Sequence, residues 1–418
     1  MKNIPAAQSA NEQMQEATKK YQGEVEALAK EAQKMFQDYQ TKSSTLSAAQ
    51  KTKKEDEIVA KEKMEKRTKM NLQKKLQNLG IEQIEKLSNE YVRAIAFNVT
   101  EALASAFPVI YNDYNNIFAQ LINCNMYTAR ITKQISSVNY IYENNSIYFD
   151  RALDLTTVNE QMIHECIHYI QDSRNKHGKL DKIGLCNFGR FSVFGLGINE
   201  AAVQYISAKT VENNTTMLER YGVRVKTISP NYYPLLTNLI EQIVYLIGED
   251  VLVKGILNDG RKLEDELLNT FESNTKRIIN QFDIIIDINN KLSTENNPEK
   301  IKIYQEEISA MYIDTQNKIF STFFEKILPK LTTYQEVDYY MDKAVCYRGL
   351  MGISTQERFL FGSFYDIKLE ELISKYDRKK IKISRRRDSN TLAVISNNKI
   401  IKLIRKIVAY FSAQKDKQ

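Results

Sequence analysis

The chain has 418 residues, three histidines, four cysteines, no tryptophan and a formal net charge of +7. A hydrophobic content of 43% is enough for a sizeable core, which excludes a wholly disordered chain. The cysteines form no CxxC pair, so neither a disulfide framework nor a cysteine-rich zinc site is expected. Only six prolines and fourteen glycines in this length predict a mostly α protein of the α+β class.

Charge and composition divide the chain unevenly. The net charge is +5 over residues 1–80 and +11 over residues 375–418, which leaves −9 for the body between them. Composition changes at Gly80, because the first 80 residues hold ten alanines but only two of the 24 tyrosines. We therefore expect a coiled-coil arm, a main domain, a helical hairpin region and a basic C-terminal part: residues 1–80, 81–260, 261–374 and 375–418.

No targeting or membrane signal is visible in the sequence. The N-terminus lacks an apolar region before a small-residue cleavage site, and no stretch of about 18 apolar residues occurs. A cytoplasmic location is the default expectation from these two observations.

The arm is dominated by helix-forming residues. Between Asn11 and Leu79 there is no proline and one glycine, and the break at residues 43–45 predicts a turn between two helices. The apolar stripe is thin, so a partner or the rest of the chain is expected to cover it. We expect the arm to project from the body as a helical hairpin and to contribute no site residue. A solvated coiled coil without a specific role is the alternative.

Several stretches of the arm resemble a known family: Ile4 to Gln13, Glu24 to Ala27, Met35 to Gln40 and Lys51 to Lys66. They are similar to the Skp/OmpH periplasmic chaperones. The resemblance implies a client-gripping coiled coil, self-association through residues 1–80 and a periplasmic location.

The main domain carries an HExxH motif. Residues 138–150 alternate in polarity around a turn at 143–145, which predicts a β-hairpin, and a capping box at Thr157–Glu160 predicts the start of a helix. On that helix His164 and His168 lie one turn apart, so both imidazoles can reach one metal ion. Glu165 is the predicted general base. Two surface histidines on an ordinary helix are the alternative.

A third ligand is expected 35 residues after Glu165. Glu200 follows a glycine-punctuated loop, and Asn199 is the predicted N-cap of the helix that carries it. The motif and this spacing resemble the gluzincin clan of metallopeptidases, whose second active-site helix supplies a glutamate ligand. The alternative is an exposed glutamate favoured by the helix dipole.

The resemblance also concerns the residues around the metal. Thermolysin-like members orient a zinc-bound histidine with an aspartate four residues after the ligand glutamate, and this chain has Gln204 there. Its amide oxygen can accept the imidazole N–H but carries no charge. The candidates for an oxyanion donor are Tyr205, Tyr232 and Tyr233, for which a core or surface role is the alternative.

Helices are predicted for most of the chain beyond these residues. One begins at Ser229-Pro230, and a helical hairpin is formed by residues 263–292 and 298–328. At the C-terminus we expect a short β-hairpin (381–384 with 391–395) and a basic amphipathic helix over 399–411. That helix either docks on the body or contacts an anionic surface, and no specific nucleic acid is expected.

These patterns together predict a Zn²⁺-dependent peptidase with a peptide or protein substrate, mostly helical with a small antiparallel sheet and two active-site helices. Glu165 would take a proton from water and pass it to the leaving amine. The alternative is a non-catalytic, chaperone-like scaffold in which the zinc site is structural or decayed.

Overall fold

A computed structural model describes residues 70–133, 136–174, 180–188, 193–258, 260–323, 325, 330–354, 370–371, 373–375 and 377–378. Helices dominate these residues and the sheets are small, which confirms the mostly helical α+β class. The predictions for residues 1–69, for the hairpin over 381–395 and for the basic helix over 399–411 lie outside the described residues.

Ten α-helices follow a helical segment over residues 70–79 in the described part of the chain. They are α1 (Asn89–Ala106), α2 (Tyr114–Ile122), α3 (Glu160–Gln171), α4 (Leu196–Thr210), α5 (Pro234–Ile247), α6 (Glu249–Leu257), α7 (Gly260–Phe271), α8 (Thr275–Thr294), α9 (Pro298–Thr322) and α10 (Tyr334–Arg348). Short 3₁₀ turns cover Pro108–Asp113 and Glu272–Asn274. No helix among the described residues is long and apolar enough to cross a membrane.

The first sheet has the order β1-β2-β4-β3, with β1 at Ile81–Lys86, β2 at Asn125–Ile131, β3 at Val138–Ile141 and β4 at Ser146–Asp150. β3 and β4 pair antiparallel, with Val138 opposite Phe149, which confirms the predicted hairpin. The expectation of an antiparallel sheet is wrong for the whole, because β2 and β4 pair parallel and the sheet is mixed. Asn145 takes a positive φ of 51° in the turn, a conformation that asparagine tolerates better than most residues. β3 is an edge strand.

Two further sheets are small. One has the order β5-β6-β7-β8, with strands at Asp172–Arg174, Leu180–Ile183, Cys186–Phe188 and Val193–Phe194. The other has the order β11-β10-β9, with β9 at Thr216–Arg220, β10 at Val223–Thr227 and β11 at Ile353–Ser354. The chain thus passes from α3 through the second sheet directly into α4.

The first sheet is buried on both faces. Successive residues of its inner strands alternate between two apolar cores, as the period of a strand requires. Met126 and Phe149 belong to the main core, which the helices complete, whereas Tyr127 and Tyr148 belong to a second core.

The second core is closed by the end of the predicted arm. Leu72 and Leu76, which are 2% and 0% exposed, pack there from the helical segment 70–79. The expectation that the whole of residues 1–80 projects from the body is therefore wrong for residues 70–79, because their apolar side chains cover a sheet face.

Two predicted helix boundaries need correction. α5 begins at Pro234 and not at Ser229-Pro230. Its N-cap residue Tyr233 takes a positive φ of 49°, in the left-handed region. The helix predicted over 263–292 is broken after Phe271 by a 3₁₀ turn, and α8 begins at Thr275. The second arm of that hairpin begins at Pro298 as predicted, with Asn297 as its N-cap.

Candidate metal centre

Helix α3 presents the HExxH motif from a buried position. Its N-cap is Asn159, whose side chain accepts a hydrogen bond from the Met162 N–H at 3.0 Å, so the capping box predicted at Thr157 is wrong. Three isoleucines, at positions 163, 167 and 170, are buried in the main core as the sequence predicted. His164 and His168 lie roughly 100° round the helix from these isoleucines.

Helix α4 begins earlier than its sequence suggests. The N-cap is Gly195, with a positive φ of 85°, and Asn199 lies inside the helix and not at its cap. The Asp283 carboxylate on α8 accepts the N–H groups of Gly195 and Gly197 at 2.8 and 2.7 Å. A side chain on α8 thus replaces the missing local cap, which fixes the helix that carries Glu200.

His164, His168 and Glu200 converge. Glu200 Oε1 lies 3.2 Å from His168 Nε2, and Glu200 Oε2 lies 3.3 Å from His164 Nε2. The two Nε2 atoms are 3.0 Å apart, and both histidines are 8% exposed. One ligand atom from each residue falls within 4.8 Å of the others, so these three residues, called the cluster below, could hold a metal ion.

The Nδ1 atom of His168 faces the side-chain amide of Gln171, whose orientation is fixed by its other contacts. Gln171 Nε2 donates to the backbone carbonyl of Ile256 at 3.2 Å, and a carbonyl can only accept. Gln171 Oε1 therefore faces His168 Nδ1, at 3.4 Å. Asn199 supports the same amide, and its own oxygen accepts the Leu185 N–H at 3.0 Å. An acceptor at Nδ1 places the proton there and leaves the Nε2 lone pair to the cluster.

His164 is oriented in the same way by Gln204. Gln204 Oε1 lies 2.9 Å from His164 Nδ1, and Gln204 Nε2 lies 2.9 Å from Ser229 Oγ. The Ser229 hydroxyl donates to the Tyr232 carbonyl at 2.6 Å, so its oxygen is left to accept from Gln204. The structure thus places Gln204 behind a histidine of the cluster, where the sequence predicted it.

Glu165 lies between the cluster and the edge strand β3. Its Oε2 accepts the backbone N–H of Tyr140 at 2.8 Å. Burial raises the pKa of Glu165, while the two neighbouring histidines and the Tyr140 N–H act in the opposite direction. A carboxyl with a raised pKa beside a group that could hold a metal ion is a candidate general base.

Charge in the cluster is balanced internally. Burial lowers the pKa of His168, but Glu200, Glu165 and Gln171 together outweigh burial, so the net shift is upward to about 9. Burial likewise opposes ionisation of Glu200, but the two histidines hold the pKa of Glu200 far below its usual range. A negative ligand is thus maintained in a buried site, where a divalent cation can replace the imidazole proton.

The three tyrosine candidates lie in different places. The Tyr205 hydroxyl is hydrogen-bonded to Glu249 on α6, and that of Tyr232 is hydrogen-bonded to Gln161. Burial raises the pKa of Tyr233, and the negative charges of Glu200 and Glu165 raise it further. Among the described residues its hydroxyl has no hydrogen-bond partner.

Sequence reasoning missed the groups that support the cluster. Gln171 and Asn199 pair across 28 positions, and Asp283 caps α4 from more than 80 positions away. No short-range pattern marks such pairs. The one local signal is Asn199, a polar residue directly before Glu200, whose side chain supports Gln171 and does not cap the helix.

Comparisons of the chain with protein-family models, with curated proteins and with solved structures found no match. The geometry of the cluster is therefore the basis of the functional proposal.

Proposed function

We propose that the protein is a zinc-dependent peptidase. The observation that carries the proposal is the convergence of His164, His168 and Glu200 from two helices, with Glu165 beside them. This is the donor set and the spacing that the resemblance to gluzincin metallopeptidases leads one to expect.

The donor set fits zinc. Imidazole and carboxylate are common zinc ligands, and both histidines have an oxygen acceptor at Nδ1, so each can offer its Nε2 lone pair. Zinc bound here would act as a Lewis acid on a carbonyl and would acidify water. A magnesium or calcium site would have more oxygen ligands.

The remaining groups have complementary roles in peptide hydrolysis. Glu165 takes the proton of the attacking water and returns it to the leaving amine. β3 is an edge strand whose Tyr140 N–H already reaches Glu165, so an extended peptide laid along this strand would pass the carboxylate. Tyr233 is the best placed of the three tyrosines to donate to the developing oxyanion.

A scaffold with a structural zinc ion is the competing function. Structural zinc sites are closed by four protein ligands, whereas the group formed by the described residues has three. Cys166 lies on the same helix, but it is buried in the main core. The three-ligand group therefore favours a site with an open position for water and substrate.

Metal content and hydrolysis test the proposal together. Wild-type protein should hold about one zinc ion per chain by elemental analysis, and His168→Ala should lose most of it. Glu165→Gln should keep the zinc and lose hydrolysis of a mixed peptide library by several orders of magnitude. Folded wild type without zinc would contradict the metal site, and zinc-loaded wild type that cleaves nothing would favour the scaffold.

A further inference from the structure

The carboxylate of Glu160 contacts the Gln204 amide on the side away from His164. Gln204 Nε2 donates to Glu160 Oε1, while Gln204 Oε1 faces His164 Nδ1 at 2.9 Å. Glu160, Gln204 and His164 therefore form a continuous chain of hydrogen bonds. Glu160 is the first residue of α3, one turn before His164, and its other oxygen accepts from Asn213 Nδ2 at 2.9 Å.

The carboxylate decides which way the Gln204 amide points. An ionised carboxylate only accepts hydrogen bonds, so an amide turned round would bring its oxygen against the Glu160 oxygen. Ser229 adds to this preference, because its hydroxyl faces two groups that only accept, the Tyr232 carbonyl at 2.6 Å and Glu160 Oε1 at 3.3 Å, so its oxygen accepts from Gln204 Nε2. Gln204 therefore presents oxygen, and not NH₂, to the histidine.

The orientation of that amide decides the tautomer of His164. An oxygen at Nδ1 favours the proton on Nδ1, which makes the Nε2 lone pair available to a metal ion held together with Glu200 and His168. An NH₂ group in its place would accept nothing and would favour the opposite tautomer, whose Nε2–H cannot bind a metal. The carboxylate also polarises the amide, which makes its oxygen a stronger acceptor.

We infer that Glu160 is a positioning residue of the metal centre, which acts on His164 through Gln204. The inference rests on the proposed metal site. It explains how an amide can serve at position 204. A carboxylate there would supply a negative charge directly, and here Glu160 supplies that charge through its hydrogen bond with Gln204.

The test is a charge swap. Glu160→Gln keeps the length of the side chain and removes its charge, so the Gln204 amide is no longer held in one orientation. Adding Gln204→Glu restores an amide–carboxylate pair in reverse order, with the charge directly at His164 Nδ1. Glu249→Gln is the matched control, because Glu249 is also the first residue of a helix and binds Tyr205 and Lys209 instead of the metal centre.

Two measurements apply to each variant. The affinity for Co²⁺ and Zn²⁺ is measured by competition with a chelator, and the His164 tautomer is measured by ¹⁵N NMR of the metal-free protein, whose three histidines give a simple spectrum. Glu160→Gln should weaken metal binding about tenfold or more and populate the Nε2–H tautomer. The double variant should bind metal at least as tightly as wild type, and Glu249→Gln should match wild type in both measurements.

Unchanged affinity and tautomer in Glu160→Gln would overturn the inference, while metal binding by wild type would leave the proposed function standing. A double variant that folds but does not recover affinity would overturn it as well. If Glu160→Gln alone does not fold, the double variant decides the question by the same criterion. Wild type that binds neither ion would remove the metal site itself, and this inference with it.

Discussion

Tyr233 has an uncommon backbone conformation. Its positive φ of 49° at the start of α5 is uncommon for a bulky side chain, and the charges of Glu200 and Glu165 add to the effect of burial in raising the pKa of its phenol. Backbone strain of this kind often accompanies a functional role, and a hydroxyl without a described partner is available to a substrate oxygen.

Tyr233→Phe tests that role. Losing one oxyanion donor should lower kcat about a hundredfold, with zinc content unchanged and KM little affected. Tyr232→Phe, which removes the neighbouring hydroxyl bound to Gln161, is the matched control and should retain most of the activity. The larger loss in Tyr232→Phe would show that Tyr232 is the donor.

The buried carboxyl of Glu241 on α5 makes the stability of the fold depend on pH, independently of the candidate metal site. Burial raises the pKa of Glu241 to about 7, and the Ile228 N–H and Lys209 offset this only in part. The unfolded chain releases this proton near pH 4.5, so between about pH 4.5 and 7 the folded state binds more protons. Stability therefore falls as the pH rises through this window.

Glu241→Gln removes the penalty of ionising a buried carboxyl. The variant should be more stable than wild type at pH 8, on the order of 1–3 kcal/mol, and equal to it near pH 4. Urea unfolding at both pH values measures the difference. Glu219→Gln, at an exposed position of β9, is the control and should show no such dependence. An equal gain at both pH values would mean that packing, and not ionisation, is responsible.

At the scale of elements, the site depends on a close approach of α4 to α8. A side chain at Gly197 would place its Cβ 2.2 Å from the Phe282 carbonyl oxygen, which belongs to the backbone of α8 and cannot move alone. The same approach brings Asp283 to the N-terminus of α4. Gly197 therefore allows the helix contact that caps α4 and places Glu200 one turn further on.

Gly197→Ala should consequently disturb both stability and metal binding. Overpacking against a helix backbone costs about 1–3 kcal/mol or more, and any shift of α4 moves Glu200 away from the histidines. Denaturant unfolding and zinc content measure the two effects. Gly349→Ala is the control, since a Cβ there meets only the Cys346 carbonyl at 3.2 Å. A Gly197→Ala protein with full zinc content would show that α4 is fixed independently of this contact.

Only some features of these elements could be predicted from the sequence. The HExxH helix, the hairpin before it and the helix carrying Glu200 were predicted because each depends on residues within a turn or a strand of one another. The caps were misplaced at Thr157 and Asn199 because a distant or competing side chain satisfies the helix ends. Glu160 and Gln204, 44 positions apart, meet only when α3 and α4 pack together, so no local pattern could pair them.

Across the whole described structure, the first sheet joins residues 70–79 to the candidate metal centre. The segment 70–79 covers one face with Leu72 and Leu76, and the edge strand β3 contacts Glu165 through Tyr140. A composition change at Gly80 could not reveal this, because the burial of two leucines depends on a sheet that the later sequence builds. The three candidate metal ligands lie on helices whose apolar residues belong to the main core.

Leu76→Ala should therefore separate activity from metal binding. Truncating a fully buried leucine costs about 2–5 kcal/mol, and the loss falls on the second core, behind the sheet that holds β3. We expect a lower midpoint of unfolding and reduced peptide hydrolysis, with zinc content close to that of wild type because α3 and α4 are packed elsewhere. Met70→Ala, in the same segment but 68% exposed, is the matched control and should change neither quantity. Loss of zinc in parallel with stability would mean that the two cores unfold as one unit and that residues 70–79 support the ligands themselves.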